Sequence, residues 1–513
     1  MPAIGIDLGT SYSCVAVARA GKVEVIPDEK GQTVQPSVVH FPERGAPVTG
    51  WPARDRLPFE PATTVYSAKR LIGRRYDDAE VRASQFTLPY RVVRGPNDSS
   101  VIEMRGDHLS IPQVQAEIVR HLRQIAERHL KARVTEAVIT VPANFNHAQR
   151  AATQLAGKMA GLQVLRILNE PTAAALSYGM GRGYDKTLAI YDFGGGTFDF
   201  TLLDLQDRVF RTLSTSGDML LGGDDLDLQM AEEVARQFER KHKFDLRRDV
   251  VEWHRLLFAC ENAKRQLSEA EEVTVLVHEV AHRAEGPIDV AHALTRWQVN
   301  WLWKDLIGRS LAVLDRAFAD ARRAPEQVHE ILLVGGTTLA PMTRAVVEQY
   351  FRRKPRYDVD PMTAVAVGAA IQAHVLTAPP SPDLRALPAL LLDVVPLTIG
   401  IAAAGGTMES IIRRNTPVPV QQSRRFSTSR DGQTEMRIQV YQGESPRFAE
   451  NTLLGELKVA GLRPAPRGRV DVEVTFEVDT DGILHIGARD LDSGKVVRTR
   501  VKVGSDEGGE AKP

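Results

Sequence analysis

The stretch AIGIDLGTSYSCVAVARA, residues 3–20, decides how the whole chain is read. Ile4, Ile6 and Leu8 alternate into a Gly-Thr-Ser bend, and Val15 and Val17 alternate out of it, the period-two pattern of a half-buried hairpin. Asp7 stands just before the bend. Gly9 lets the backbone approach a ligand closely, while Thr10 and Ser11 add hydroxyls beside backbone N–H groups, so the bend can cradle phosphate with Asp7 turned to a cation. A single D-x-G-T is also what an ordinary glycine turn with a solvated aspartate looks like. Recurrence argues against that. Residues 188–205, LAIYDFGGGTFDFTLLDL, repeat the apolar strand, then Asp192, Gly194, Gly195, Gly196 and Thr197, then a strand alternating through Phe198, Phe200 and Leu202. Two such hairpins predict two similar lobes with one ligand held between them.

A chain of 513 residues exceeds what one core usually covers, so several domains are expected. The hydrophobic share of 43% and charged share of 25% are those of a soluble globular protein. Basic and acidic residues balance at 65 each, so the net charge points neither to nucleic acid nor to an anionic membrane. The arginines of the local cluster Lys69, Arg70, Arg74 and Arg75 read as a solvated face. Only two cysteines occur, Cys14 and Cys260, in apolar surroundings and without CxxC spacing, which fits a reducing compartment. Asp7 interrupts any leader-like apolar core and no run approaches a membrane span, so a cytoplasmic location is expected.

Further along, TVYSAKRLIGRR predicts a helix carrying Lys69, and IPQVQAEIVRHLRQIAERHL places Val114, Ile118, Leu122 and Ile125 at helical spacing. EAVITVPANF reads as a strand closed by Pro142, residues 149–160 as a helix, and LRILNEPTAAALSYGMG supplies Glu170 and a small-residue helix. This α/β alternation fits layered lobes. A helix follows Gly222 and Gly223. In RLLFACENAKRQLS the spacing of Glu261, Lys264, Arg265 and Ser268 puts all four on one helical face, which in isolation is also how a solvated face looks. ILLVGGTTLAPM brings a third glycine turn at Gly335 and Gly336.

His278, Glu279 and His282 spell H-E-x-x-H, but VTVLVHEVAH is β-branched and alternating. In a strand the two histidines stand roughly 13 Å apart, too far for two ligands of one zinc ion without a bend. From Thr377 the chain turns proline-rich and ends in ALLLDV, a segment that reads as able to dock or release. Two alternating runs around Asp431-Gly432, and two more around Asp481-Gly482, predict a β-sandwich, and the tail SDEGGEAKP should be disordered.

In their order along the chain, GIDLGTSYSCV, AKRLIGRR, EAVITVPANF, NEPTAAALSYG, YDFGGGTFD, ILLVGG, LLLDVVPLTIGI and DGILHI resemble the seventy-kilodalton heat-shock chaperone family of the DnaK type. The resemblance implies an actin-like (ribonuclease H-like) two-lobed α/β ATPase domain over residues 1–376 and an interdomain linker over 377–392. An all-β sandwich that binds unfolded apolar peptide would follow over 393–503, with a tail over 504–513. It implies that Asp7, Asp192 and Asp199 hold magnesium and potassium through waters, and that Lys69, Glu170, Asp192 and Thr197 serve catalysis. Thr10, Ser11, Thr197, Gly194, Gly195 and Gly196 would cradle the phosphates of ATP or ADP, and Gly9, Tyr12, Gly222 and Gly223 would also bind the nucleotide. Glu261, Lys264, Arg265, Ser268, Gly335 and Gly336 would hold adenosine.

By the same resemblance, Ile401, Ala404, Phe426, Ser429, Met436 and Ile438 line the peptide site. Pro142, Arg150, Arg166, Leu390, Leu391, Leu392 and Asp393 couple the domains. The implied partners are unfolded polypeptides, a J-domain co-chaperone and a nucleotide exchange factor, with the chain itself a monomer. No G-x-x-x-x-G-K-[ST] occurs, which excludes a P-loop enzyme.

Three departures stand out. Leu339 replaces an arginine that stacks on adenine, worth about 1 kcal/mol. Met362 stands where the family usually has aspartate, and Asn144 replaces an aromatic near Pro142. No helical lid is expected after the sandwich, and a larger apolar residue is usual at position 404, so peptide release is expected to be fast. The alternative to a chaperone is a nucleotide-binding regulatory or scaffold protein with little turnover, and a zinc protease is a distant third.

Overall fold

The computed structural model describes residues 2–19, 21–85, 87–179, 185–206, 209–284, 286–377, 390–494 and 496–500. Most of the linker read from sequence, residues 378–389, and the tail beyond residue 500 lie outside the described residues.

Both glycine-bend segments form the hairpins their alternation predicts. Ala3–Asp7 pairs antiparallel with Tyr12–Arg19, and Lys186–Phe193 with Phe198–Gln206. Each first strand also takes a parallel neighbour, Glu136–Val141 in one lobe and Glu330–Val334 in the other, so the two lobes repeat one design. The first sheet runs Gln163–Asn169, Glu136–Val141, Ala3–Asp7, Tyr12–Arg19, Lys22–Val25, with Val34–Pro36 also on Tyr12–Arg19. The second runs Glu330–Val334, Lys186–Phe193, Phe198–Gln206, Val209–Asp218 and then Leu390–Leu392.

Two small-residue helices, Glu170–Gly179 and Ala364–Thr377, join the lobes back to back. A Cβ on Gly368 would lie 1.7 Å from the Ala173 carbonyl oxygen, and one on Gly5 would lie 2.0 Å from the Ala370 nitrogen. Backbone approach this close needs glycine. It brings the helices and the first strand together behind the point where the hairpin bends meet.

Residues 399–500 form a sandwich of two four-stranded sheets. One runs Met408–Ile412, Ile399–Ala402, Glu435–Gln442, Thr452–Ala460, the other Val420–Ser427, Asp471–Val478, Leu484–Asp490, Val496–Arg500. Their inner faces bury Val440, Leu457, Val472, Val474 and Phe476, as alternation requires. The architecture is the actin-like two-lobed ATPase fold followed by a β-sandwich.

Local readings need correction at several points. TVYSAKRLIGRR is not a helix: Ser67 takes a left-handed conformation at φ 51° and only the single turn Ala68–Leu71 follows it. The runs around Asp431-Gly432 are not a hairpin, since Val420–Ser427 pairs with Asp471–Val478 while Glu435–Gln442 lies in the other sheet. The runs around Asp481-Gly482 do pair directly. Ser268 lies beyond the helix Val250–Gln266, in the turn that ends it. The H-E-x-x-H residues lie on the strand Glu272–Arg283, with an irregularity between Val277 and Ala281, and His278 pairs with Asp289.

Candidate functional site

The two hairpin bends meet tip to tip. A Cβ on Gly195 would lie 1.9 Å from Ser11 Oγ, and one on Gly196 would lie 2.4 Å from Thr10 Cγ2. Gly222, at the start of the helix Gly223–His242, is held as closely, since its Cβ would lie 2.2 Å from the Gly195 carbonyl oxygen. Gly335, at φ +82°, passes over the same bend with a Cβ position 2.4 Å from the Phe193 carbonyl oxygen. Backbone proximity requires glycine at Gly222 and Gly335, while Gly195 and Gly196 are crowded by the Ser11 and Thr10 side chains. The result is a cleft of about 400 Å³ whose lining includes Gly9, Thr10, Ser11, Gly194, Gly195 and Thr197. Tyr12, Gly223, Glu261, Lys264, Arg265 and Ser268, with Gly335 and Gly336, complete it.

Behind the bends lies a cage of carboxylates. Asp192 and Asp199 face each other across their hairpin, and Asp7 lies in the first hairpin. Glu170 opens its helix, where the dipole favours negative charge. Lys69, 3% exposed, donates from Nζ to Glu170 Oε1 at 2.7 Å. One lysine does not neutralise four acids, three of them buried and Asp7 partly so. Burial, with Glu170 nearby, raises Asp7 to about 7. Burial likewise raises Asp199 to about 7 and carries Asp192 well above the ordinary carboxylate range, Glu170 adding to the effect.

Buried acids held near neutrality in this way are poised to exchange a proton for a cation. Asp199 Oδ2 is buried without a hydrogen-bond partner, a vacancy a hydrated cation fits. Among the described residues no three acids, histidines or cysteines converge closely enough to ligate one metal directly.

At the end of the cleft lined by Glu261, Lys264 and Arg265, Glu261 accepts from Tyr12 Oη at 2.9 Å and from Arg54 Nη2 at 2.8 Å. Burial would raise this acid, but Arg54 and Lys264 outweigh it and hold it low. Lys264 binds Asp227 and the Gly223 carbonyl, and the Arg265 guanidinium lies 4.8 Å from the Tyr12 ring centroid. Leu339 and Met362, two of the departures, both line this end, with Met362 Sδ beside Gly336.

Sequence reading missed the contacts that hold the lobes together. Ser11 Oγ donates to Asp224 Oδ1 at 2.9 Å, and Ser67 donates to the other oxygen of the same carboxylate. Arg70, read as solvated, is only partly exposed and forms a two-pronged pair with Asp225 at 2.6 and 3.2 Å. Arg74, from the same cluster, is 9% exposed and pairs with Glu80. The acidic run Asp224-Asp225 directly after Gly222-Gly223 was the available signal.

The residues expected to couple the domains make the following contacts. Leu390–Leu392 adds a parallel strand to Val209–Asp218, burying Leu391 beside Phe210 and leaving Leu390 48% exposed. Asp393 accepts from Thr172 at 2.7 Å and Thr212 at 3.1 Å. Beyond buried Pro142, Arg150 binds the carbonyls of Phe145 and Ala143, Asn169 Oδ1 and, across the interface, the Asp481 carbonyl at 3.2 Å. Arg166 lies near the Asp481 carboxylate and favours its ionised form.

The peptide-site candidates lie in the sandwich and the turns beside it. Ile401, Met436 and Ile438 are 4–7% exposed inside the sandwich core, with Phe426 packed on them, and Ser429 is exposed and bound to Gln433. Ala404 lies in the short turn Ala404–Gly406.

The family model described as Hsp70 protein matches residues 3–512. The chaperone protein DnaK of Buchnera aphidicola subsp. Schizaphis graminum (strain Sg) is 40% identical over 507 residues, 98% of this chain and 78% of that protein. With the match running through both lobes and the sandwich, the chain belongs to the Hsp70 family.

Proposed function

We propose that this protein is an ATP-dependent chaperone. It hydrolyses ATP in the cleft, and the linker strand carries the nucleotide state to a sandwich that holds unfolded apolar polypeptide. The observation that carries the reading is the cage of Asp7, Asp192, Asp199 and Glu170 around Lys69, set directly behind two abutting glycine bends. In phosphoryl transfer a protein mainly positions the nucleophile and neutralises spreading charge. Backbone N–H groups of residues 9–12 and 194–197 are suited to the phosphates. Lys69, oriented by Glu170, would hold the attacking water in line, and Thr197 would donate to the transferring group. Asp7, Asp192 and Asp199 would hold magnesium through water, which would supply charge neutralisation at the phosphates, and potassium is a candidate for the same acids.

Tyr12, Glu261, Lys264, Arg265 and Ser268 would take the adenosine. The natural units are residues 1–376, the linker 377–392 and the sandwich 393–503. Unfolded clients, a J-domain co-chaperone and an exchange factor are the partners proposed, in the cytoplasm. A nucleotide-binding scaffold with little turnover is the second reading, favoured by Leu339 and Met362 at the adenosine end. Single-turnover ATP hydrolysis with and without an apolar peptide separates them. Peptide-stimulated turnover supports the chaperone, and tight binding without turnover supports the scaffold.

A further inference from the structure

Asn144 stands where the family resemblance leads one to expect an aromatic, and its side chain reaches the carboxylate cage. Its Nδ2 donates to Asp199 Oδ1, and its backbone N–H also binds Asp199. The slot it uses exists because Gly217 is the cross-strand partner of Asp199. A Cβ on Gly217 would lie 2.2 Å from Asn144 Nδ2 and 2.4 Å from Asp199 Oδ1. Asn144 is itself held, because Arg150 clamps the carbonyls on either side of it, those of Ala143 and Phe145, at 3.1 and 3.0 Å. With Oδ1 engaged, Oδ2 is the oxygen left buried and without a partner.

We propose that Asn144 is a positioning residue for the cation site: its amide fixes the Asp199 carboxylate so that Oδ2 is presented to a hydrated divalent cation, in a slot that Gly217 keeps open. The proposal rests on the reading of the cleft as a nucleotide and cation site. A donor fixed by neighbouring contacts orients a carboxylate before the cation arrives, which lowers the ordering cost on binding.

Binding of Mn2+ to the full chain in the presence of ADP, followed by loss of the free-ion EPR signal, tests this without turnover. Two variants remove the contact by different routes. Asn144→Leu keeps the size and loses the donor, and Gly217→Ala fills the slot. Each is expected to weaken Mn2+ binding about tenfold, the usual weight of a hydrogen bond to a charged group. ADP affinity measured without metal should stay unchanged, a split that general loosening of the fold would not produce. Unchanged Mn2+ affinity in both variants, or an equal loss of metal-free ADP affinity, overturns the role of Asn144. Failure of the unsubstituted protein to bind Mn2+ with ADP overturns the reading of the cleft, and the positioning role with it.

Discussion

Thr172 Oγ1 donates to Asp393 Oδ1 at 2.7 Å, from the first turn of the helix whose first residue, Glu170, binds Lys69. One rigid turn therefore grips both the cage in the cleft and the residue that follows the linker strand. Its position gives the proposed coupling a short physical path, through an element that both sites can bias.

Thr172→Ala should loosen the linker. Asp393 is 6% exposed and retains its bond from Thr212, so the loss is about 1 to 3 kcal/mol of docking. Amide exchange in Leu390–Leu392 should accelerate roughly tenfold or more, while ADP affinity holds. Unchanged exchange would remove Thr172 from the path.

The linker strand also predicts a contrast within one tripeptide. Leu391 is 9% exposed and Leu390 is 48% exposed. Leu391→Asp should abolish the response of ATP hydrolysis to peptide, because it loses about 2 kcal/mol of apolar burial and buries a charge. Leu390→Asp should leave most of the response. Equal effects would mean that the strand pairing is not what couples the domains.

How much of this was legible in the sequence depends on the range of the interaction. The hairpins were, because Asp7 and Asp192 precede glycine bends and the flanking apolar residues alternate. The pairs Arg54 with Glu261 and Arg70 with Asp225 were not, since nothing local tells an arginine that crosses a cleft from one that meets water. The sandwich was legible as strands but not as pairings. Around Asp431-Gly432 the alternation is the same whether the chain folds back on itself or crosses to the other sheet. The Ser67 turn escaped because its left-handed residue is not glycine.

Lys69→Ala and Thr197→Ala should keep ATP binding and slow single-turnover hydrolysis at least about a hundredfold, since both groups would act on the transferring phosphoryl rather than on adenosine. Filter-binding affinity and quenched-flow rates decide it. Wild-type rates in either variant would contradict the assignment.

Docking should respond to pH through Asp481. Burial in the interface, with Asp479 nearby, raises it to about 6 from an ordinary value of 3.8. A raised carboxyl holds its proton more tightly in the docked form, so docking is favoured at low pH and weakens as pH climbs from about 4 to about 6. Above 7 the contribution is flat. Energy transfer between dyes on the first lobe and the sandwich should follow that course, and Asp481→Asn should flatten it.

Release of a fluorescently labelled apolar peptide, followed in stopped flow after ATP is added to the preloaded protein, tests the link between cleft and sandwich most directly. The account predicts that ATP with magnesium accelerates release, and that Leu391→Asp abolishes the acceleration. Release at the same rate with and without ATP, in a protein that demonstrably binds both ligands, would contradict it.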